Sequence, residues 1–545
     1  MDVAALLLTS SALAWAVPLG DLFVDPLANC AVSDGSVSFP FCSLGEALLV
    51  AVDGDVIRIA PGTYRERVTV ARDVTLAGEQ GAEVTVIDGE RGGTVLTLAP
   101  GTDVAIDGLT ITGGLGDDAG GILSQGRLVL RSSTIRGNEA FPPAFDPAGG
   151  GLLHESMDPL TIDGCRFVGN IVDVGTTGAP VQKNGAGRAT IRRTWFEHNR
   201  GRECGAVKVD GGVLEMTECT LTDNTSARRL GTVVVAGDGL LLVNSTIDRN
   251  EGSGVHFQNY ASGSLVVRSC TITGNDLTST FYAGALDSAA SVPVMVSNSI
   301  LLGGGVGDIF GNFVSGGYNV VGEPGVNNPT FAPAAGDLLG WLQPVPDLQL
   351  LPFADNGGPT LTRMPACDSI LVDTGPPLPL DPADQRGVTR AAGRVDRGAA
   401  ESDCARPPAC VGVPNSTGSV AGLTFFGGTL VSADRFGLSL TGGPPQQFGM
   451  LLVSRTSGFL PGAGGSTGNL CLDGSIGRYS SPGELVQIDA AGSARVLVPL
   501  TEIPQGASSL AVVPGETWFF QAWHRDRLGT ASTSNFTSTV AMSFR

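Results

Sequence analysis

The chain has 545 residues, 42% of them apolar, which is enough for several domains and too much for a disordered protein. Glycine contributes 78 residues and charged residues only 16%, a balance that suits a turn-rich β protein better than a helical one. A formal net charge of −20 repels nucleic acid and excludes that class of partner.

At the N-terminus, MDVAALLLTSSALAWAVPLG carries an apolar run ending in Ala14-Trp15-Ala16, a small-x-small cleavage pattern before Val17. Residues 1–16 are read as a signal peptide, although Asp2 is its only charge and the basic flank of such segments is missing; a core strand is the alternative. Export makes the protein secreted or cell-surface. No other stretch reaches the ~18 uninterrupted apolar residues of a membrane span, so no transmembrane segment is expected. Ser43 stands three residues before Glu46, a capping box that predicts a short apolar helix, and DVIRIA (55–60) reads as a first strand. Cys30 and Cys42 are spaced for a local disulfide in an oxidising compartment.

A single frame then recurs: LVLRSSTIRGN (128–138), LTIDGCRFVGN (160–170), ATIRRTWFEHN (189–199), LEMTECTLTDN (214–224), LLLVNSTIDRN (240–250) and LVVRSCTITGN (265–275). The closing residues Asn138, Asn170, Asn199, Asn224, Asn250 and Asn275 are 32, 29, 25, 26 and 25 apart, the period of a solenoid. Weaker copies at 104–114 and 294–304 have Gly in place of Asn, which gives at least eight coils. Apolar residues alternate at spacing two, so the coils are built of strands and not helices. A second strand follows glycine in GGILSQG (120–126), GAVKVDG (205–211), GTVVVAG (231–237) and GVHFQ (254–258). Short strands with variable loops predict an all-β, right-handed parallel β-helix whose like residues stack in ladders. The repeated Asn is expected to bond the next coil from a left-handed turn and to have no chemistry. Ser133, Cys165, Thr194, Cys219, Ser245, Cys270 and Ser299 share one small position. Cysteines on alternate coils lie ~9.6 Å apart at the ~4.8 Å strand spacing, too far for a disulfide or a shared metal, so Cys165, Cys219 and Cys270 are expected to be buried thiols.

Two segments carry a resemblance. CSLGEALLVA…GDVIRIAPGTY resembles the CSLREA module of bacterial secreted β-helix proteins, with Gly45 where that motif has Arg. GGYNVVG (316–322), NGGPTLTRMPACDSILVDTG (356–375) and DQRGVTRAAGRVDRGAAE (384–401) resemble the end of proteins called choice-of-anchor Q. Together these imply a β-helix of the pectate-lyase-like superfamily on a bacterial surface or secreted, with a variable C-terminal attachment; no sorting motif, terminal helix or basic tail follows them here. The boundaries read as a cap at 17–71, coils at 72–305, and terminal coils and cap at 306–403. Beyond CARPPAC (404–410), longer alternating runs predict an antiparallel β-sandwich over 404–545. NLCLDGSIGRY (469–479) and PGETWFFQAWHRD (514–526) resemble a C-terminal module of large secreted proteins of environmental bacteria. Proximity in sequence pairs Cys367 with Cys404 and Cys410 with Cys471, leaving Cys204 odd.

Chemistry-bearing motifs are few. His154, His198, His256 and His524 show no metal-ligand spacing, and H-E-x-x-H, EF-hand, Walker and G-x-S-x-G motifs are absent from the sequence. Aligning the strands that follow glycine places His154 and Glu155, Gln182 and Lys183, and Lys208 and Asp210 on successive coils of one face, with Gln258 and Asp287 further along. By analogy with β-helix lyases, Lys208 would be the base, Lys183 would neutralise a uronate, and Glu155 or Asp210 would hold calcium. Glu155 and Asp210 are also the candidate carboxylates for glycoside hydrolysis. A solvated strand face is the bland alternative. In the sandwich, Trp518 and Phe520 alternate with Phe519, Gln521 and Trp523; one set fills the core, and Trp518 or Trp523 beside His524 would be the stacking platform for a sugar. The reading is therefore a non-catalytic scaffold that binds polysaccharide or extracellular matrix, with an exported polysaccharide lyase or glycoside hydrolase as the alternative. Oligomeric state and ligand identity are not legible.

Overall fold

The computed structural model describes residues 20–545 except 142–147, 173–177, 259–262, 276–281, 305–306, 324–330, 341, 343–344, 346, 392, 394, 404–411, 428–430, 482, 507, 530 and 545. The segment read as a signal peptide therefore lies outside the described residues, as do the expected disulfide partners Cys404 and Cys410. Two compact units divide the chain, residues 1–403 and 404–545.

The first unit is a parallel β-solenoid. Two sheets of twelve strands, one of ten and a short one of five run along its axis. One coil consists of Arg127–Arg131 in the first sheet, Thr134–Arg136 in the second, Glu139–Ala140 in the short sheet and Gly149–Glu155 in the third. Leu160–Asp163 then returns to the first sheet, parallel to and in register with Arg127–Arg131. Alternation sends one set of side chains inward on each strand. In the first sheet the register joins Ile57, Leu76, Ile106, Leu130, Ile162, Ile191, Met216, Leu242, Val267 and Val296 into one fully buried row. Phe167 and Phe196 stack in the same interior with ring centroids 5.1 Å apart.

Two left-handed residues turn each coil. In the repeat frame they occupy the place before the small residue (Ser132, Gly164, Arg193, Glu218, Asn244, Ser269) and the place before the asparagine (Gly137, Gly169, His198, Asp223, Arg249, Gly274), all at positive φ. The asparagines themselves do not adopt it, contrary to expectation; they are buried between the coils. Asn170 Nδ2 donates to Asn199 Oδ1 at 3.1 Å and to the Ile135 carbonyl at 2.8 Å, and the Asn170 backbone N–H also reaches Asn199 Oδ1 at 3.0 Å. The same side-chain link joins Asn138 to Asn170, Asn199 to Asn224, Asn224 to Asn250 and Asn250 to Asn275. The small residues form a second column. Thr194 Oγ1 accepts from Cys165 N, Ser245 Oγ from Cys219 N and Ser299 Oγ from Cys270 N, so hydroxyls alternate with thiols. Cys165, Cys219 and Cys270 are free and buried as predicted, and so is Cys204. Burial pushes all four thiols up to about 12.

At the N-terminal end the first strand is Asp21–Val24, which pairs with Val56–Ile59, so DVIRIA is second and not first. The helix Leu44–Val50 buries Leu44 and Ala47. Ser43 Oγ accepts from Glu46 N as a capping box requires, but the Glu46 carboxylate reaches Cys42 N one residue further back. Glu66 accepts from Leu44 N and Gly45 N, placing a second carboxylate on the same helix start. Cys30 and Cys42 form the predicted disulfide, with Cα atoms 5.6 Å apart. Cys367 and Cys471 are also disulfide-bonded.

Segment 348–403 does not continue the coils. It runs back along the outside of the second sheet as a strap. Leu348 and Leu371 cover the outward-facing Ile300 and Val320. Further back, Asp381 pairs with Arg268, and Gln385 bonds Thr246 and Thr220, which lie opposite each other on adjacent coils. Ala399 N donates to Thr271 Oγ1 and Thr360 Oγ1 to the Glu218 carbonyl. The segment resembling choice-of-anchor Q is thus a strap along the flank as well as a terminus.

In the second unit, Gly422–Gly427, Phe436–Thr441 and Ala494–Leu497 form one antiparallel sheet, and Phe448–Ser454, Thr517–Leu528, Ala531–Phe536 and shorter strands form another. Phe436 and Leu438 from the first pack with Leu451, Val453, Trp518 and Phe520 from the second, as in a sandwich core.

Candidate functional site

The third sheet holds both lysines, but it does not bring them together. Its strands Gly149–Glu155, Ala179–Asn184 and Cys204–Asp210 pair with His154 opposite Lys183, Lys183 opposite Val209, and Gln182 opposite Lys208. His154 and Lys183 therefore share the inward row with Ser124, Val209 and Val235, whereas Gln182 and Lys208 face outward. The expectation that both lysines line one groove is overturned by this one-residue offset.

Inside the solenoid, His154 uses both ring nitrogens: Nδ1 lies 3.1 Å from Ser124 Oγ and Nε2 3.0 Å from the Asp158 carbonyl. Burial, with the nearby Lys183 charge, holds its pKa below the ordinary value, so the ring is neutral. Lys183 is fully buried, donates among the described residues only to the carbonyls of Gly185 (2.5 Å) and Asn184 (3.3 Å), and is lowered to about 8 by burial. Neither group reaches an external polysaccharide.

Outside, Lys208 is only 5% exposed. Its Nζ is 3.0 Å from Glu203 Oε2 and 3.0 Å from Asp210 Oδ2, and Arg228 holds the other Glu203 oxygen at 2.9 Å. Burial alone would lower the lysine, but the Asp210 and Glu203 carboxylates outweigh it and the net shift is upward. A general base needs the opposite shift. Gln182, also buried, donates to Asn184 Oδ1 (2.7 Å) and Asp210 Oδ2 (2.8 Å), and its own Oε1 has no hydrogen-bond partner among the described residues. Glu155 is exposed and lies across Asn184 from Asp210, two strands away, ~9.6 Å at the usual spacing. Glu155 and Asp210, the candidate carboxylates for calcium or for glycoside hydrolysis, are thus not brought together, and among the described residues no three His, Cys, Asp or Glu side chains group as metal ligands.

Sequence reasoning missed Glu203 and Arg228, which reach this cluster from the connecting segments and not from the aligned strands. It also left His256 unassigned. His256 follows Val234 in the outward row and faces Asp287 on the next strand, with Nδ1 3.0 Å from Asp287 Oδ1. Asp287 Oδ2 accepts from Ala283 N at 3.1 Å, and the Tyr282 ring stands edge-on to the imidazole at 5.5 Å.

In the second unit, Trp518 is fully buried in the core with Phe520, and His524 is fully buried. Neither offers a face to a sugar. Trp523 is half-buried on the other side of its strand, packed with Phe519 against Leu452, Leu472 and Phe536. The alternation of the two sets is as predicted; the exposed platform is not there for Trp518 and His524.

No family model matches the chain, and no curated protein does. Solved structures do. It is similar to the crystal structure of pectate lyase Pel9A at 12% identity, over 71% of this chain and 98% of that one, with a TM-score of 0.38. PL6 family alginate lyase AlyGC matches at 13% identity over 72% of this chain and 60% of its own, TM-score 0.29. A pectin methylesterase from Aspergillus niger matches at 14% identity over 59% and 84%, TM-score 0.20. This is a likeness of fold.

Proposed function

We propose that the protein is a secreted or cell-surface β-helix scaffold that binds polysaccharide or matrix without cleaving it. On this reading residues 1–16 direct export, the N-terminal module covers one end of the solenoid, and the region resembling choice-of-anchor Q and the sandwich serve attachment. The observation that carries the non-catalytic part is the state of the two lysines. One is sealed inside the solenoid, and the other is clamped between two carboxylates that keep it charged. Proton abstraction by either is disfavoured.

One observation favours a second reading. Glu203 and Asp210 each approach Lys208 Nζ at 3.0 Å, so those carboxylate oxygens are at most about 6 Å apart, near the ~5–5.5 Å of retaining glycosidases. Residues 17–545, incubated with acidic and neutral polysaccharides with and without calcium, test both. The scaffold reading expects binding with no new unsaturated or reducing ends. New reducing ends that vanish in Glu203→Gln would establish the hydrolase instead, and unsaturated ends that vanish in Lys208→Ala a lyase.

A further inference from the structure

The four histidines differ in what their second nitrogen does. His154 has both nitrogens bonded inside the solenoid. His524 is buried with Nε2 sealed off and unpartnered among the described residues, and the His198 side chain is 67% exposed on a left-handed turn. His256 alone combines a fixed Nδ1 with an available Nε2: Asp287 holds Nδ1, while among the described residues no group bonds Nε2 and the atom is not enclosed like that of His524.

We propose that His256, oriented by Asp287, is a hydroxyl-binding contact for a neutral glycan on the outer face of the third sheet. The assignment rests on the polysaccharide-binding reading above and names the chemistry of its ligand. In the neutral imidazole, an Nδ1–H donated to the carboxylate leaves the lone pair on Nε2, which then calls for a donor. A sugar hydroxyl supplies one; a uronate carboxylate does not. The surrounding groups argue the same way. Asp287 adds a carboxylate, and the cation two strands back along the row, Lys208, is already neutralised by Glu203 and Asp210. Gln258, two residues along the chain from His256 and partly exposed, has a side-chain amide that no described group engages, so it offers a further donor and acceptor next to the end of the same strand. Most of the His256 ring is buried, which fixes its direction before any ligand arrives.

Full-length wild-type protein, His256→Asn and Gln258→Ala are titrated with xylan, mannan, dextran and polygalacturonate, and the wild type is treated with diethyl pyrocarbonate with and without each polymer. Asparagine keeps a group facing Asp287 and removes the Nε2 edge. The expected result is binding of a neutral polymer, weakened at least ~10-fold in His256→Asn and several-fold in Gln258→Ala, with that polymer slowing acylation of His256. Should His256→Asn fail to fold, the Gln258→Ala and acylation arms decide alone. Binding unchanged in the variants, or polygalacturonate preferred over every neutral polymer, overturns the assignment and leaves the scaffold reading intact. A wild type that binds none of the four overturns the assignment together with the polysaccharide half of the scaffold reading, and leaves matrix binding as its remaining form.

Discussion

Asn199 sits in the middle of the asparagine column, and its carboxamide touches the coils on both sides. It donates to Asn224 Oδ1 and to the Phe167 carbonyl, and it accepts from the Asn170 side chain and backbone. Asn199→Ala removes four side-chain hydrogen bonds from a buried site, although Asn224 Oδ1 keeps the residue-199 backbone N–H and Asn170 Nδ2 keeps the Ile135 carbonyl, and the expected loss is about 2–4 kcal/mol, read from the denaturation midpoint of the first unit. A loss under about 1 kcal/mol would mean that water replaces the amide. The column was legible in sequence because it requires one residue type at one place in every coil. The turns were not: Ser, Gly, Arg, Glu, Asn, His and Asp all take up the left-handed conformation, so composition hides it. Lys183 is the other residue whose energetics stand out. It is a buried ammonium bonded, among the described residues, only to carbonyls, and its folded pKa of about 8 lies below the 10.5 of the free side chain. Below pH 8 the fold carries the full cost of burying the charge. Between pH 8 and 10.5 the native chain releases its proton first, so stability rises with pH through that window. Lys183→Met should therefore stabilise the first unit by about 1–3 kcal/mol at pH 7, with the advantage disappearing by about pH 10.5; thermal melts across that range check it.

At the scale of elements, the misassigned lysines have a geometric cause. Register shifts by one residue between Gly149 and Leu152 and again between Cys204 and Val207. Counting from the glycine at the start of each strand passes through these irregularities and exchanges the two faces. Inside the first and second sheets the frame runs without such a shift from Leu128 as far as Thr273, and there the predicted stacking was found. The strap was invisible for another reason. Gln385 contacts Cys219, Thr220 and Thr246, all more than 130 residues away, and no periodicity announces such a pairing. Its buried amide is a hub, so Gln385→Ala should release the strap without disturbing the coils. Hydrogen exchange is expected to rise over 348–403 while the strands from Thr75 to Arg192 keep their protection. Exchange rising equally in both would make strap and coils one cooperative unit.

For the whole molecule, the two units have separate cores. The solenoid interior runs from Val24 to Leu339, and the sandwich core is confined to residues between Phe436 and Phe544. Calorimetry should therefore resolve two transitions, with Asn199→Ala lowering only the one that belongs to the solenoid. A single transition shifted as a whole would show the units unfolding together. The boundary was visible as a change from short repeated frames to longer alternating runs, because a stacked coil and an antiparallel strand need different lengths.

The asparagine column has a further consequence. Each amide from Asn138 to Asn250 donates to the asparagine of the next coil, so along this run each coil presents to its successor the same surface that it receives. The column stops where glycine replaces asparagine, at Gly114 and Gly304, and not where geometry forbids another turn. Inheritance of such a rod is a matter of counting: duplicating or deleting one frame changes its length by a fixed step and leaves every remaining joint as it was.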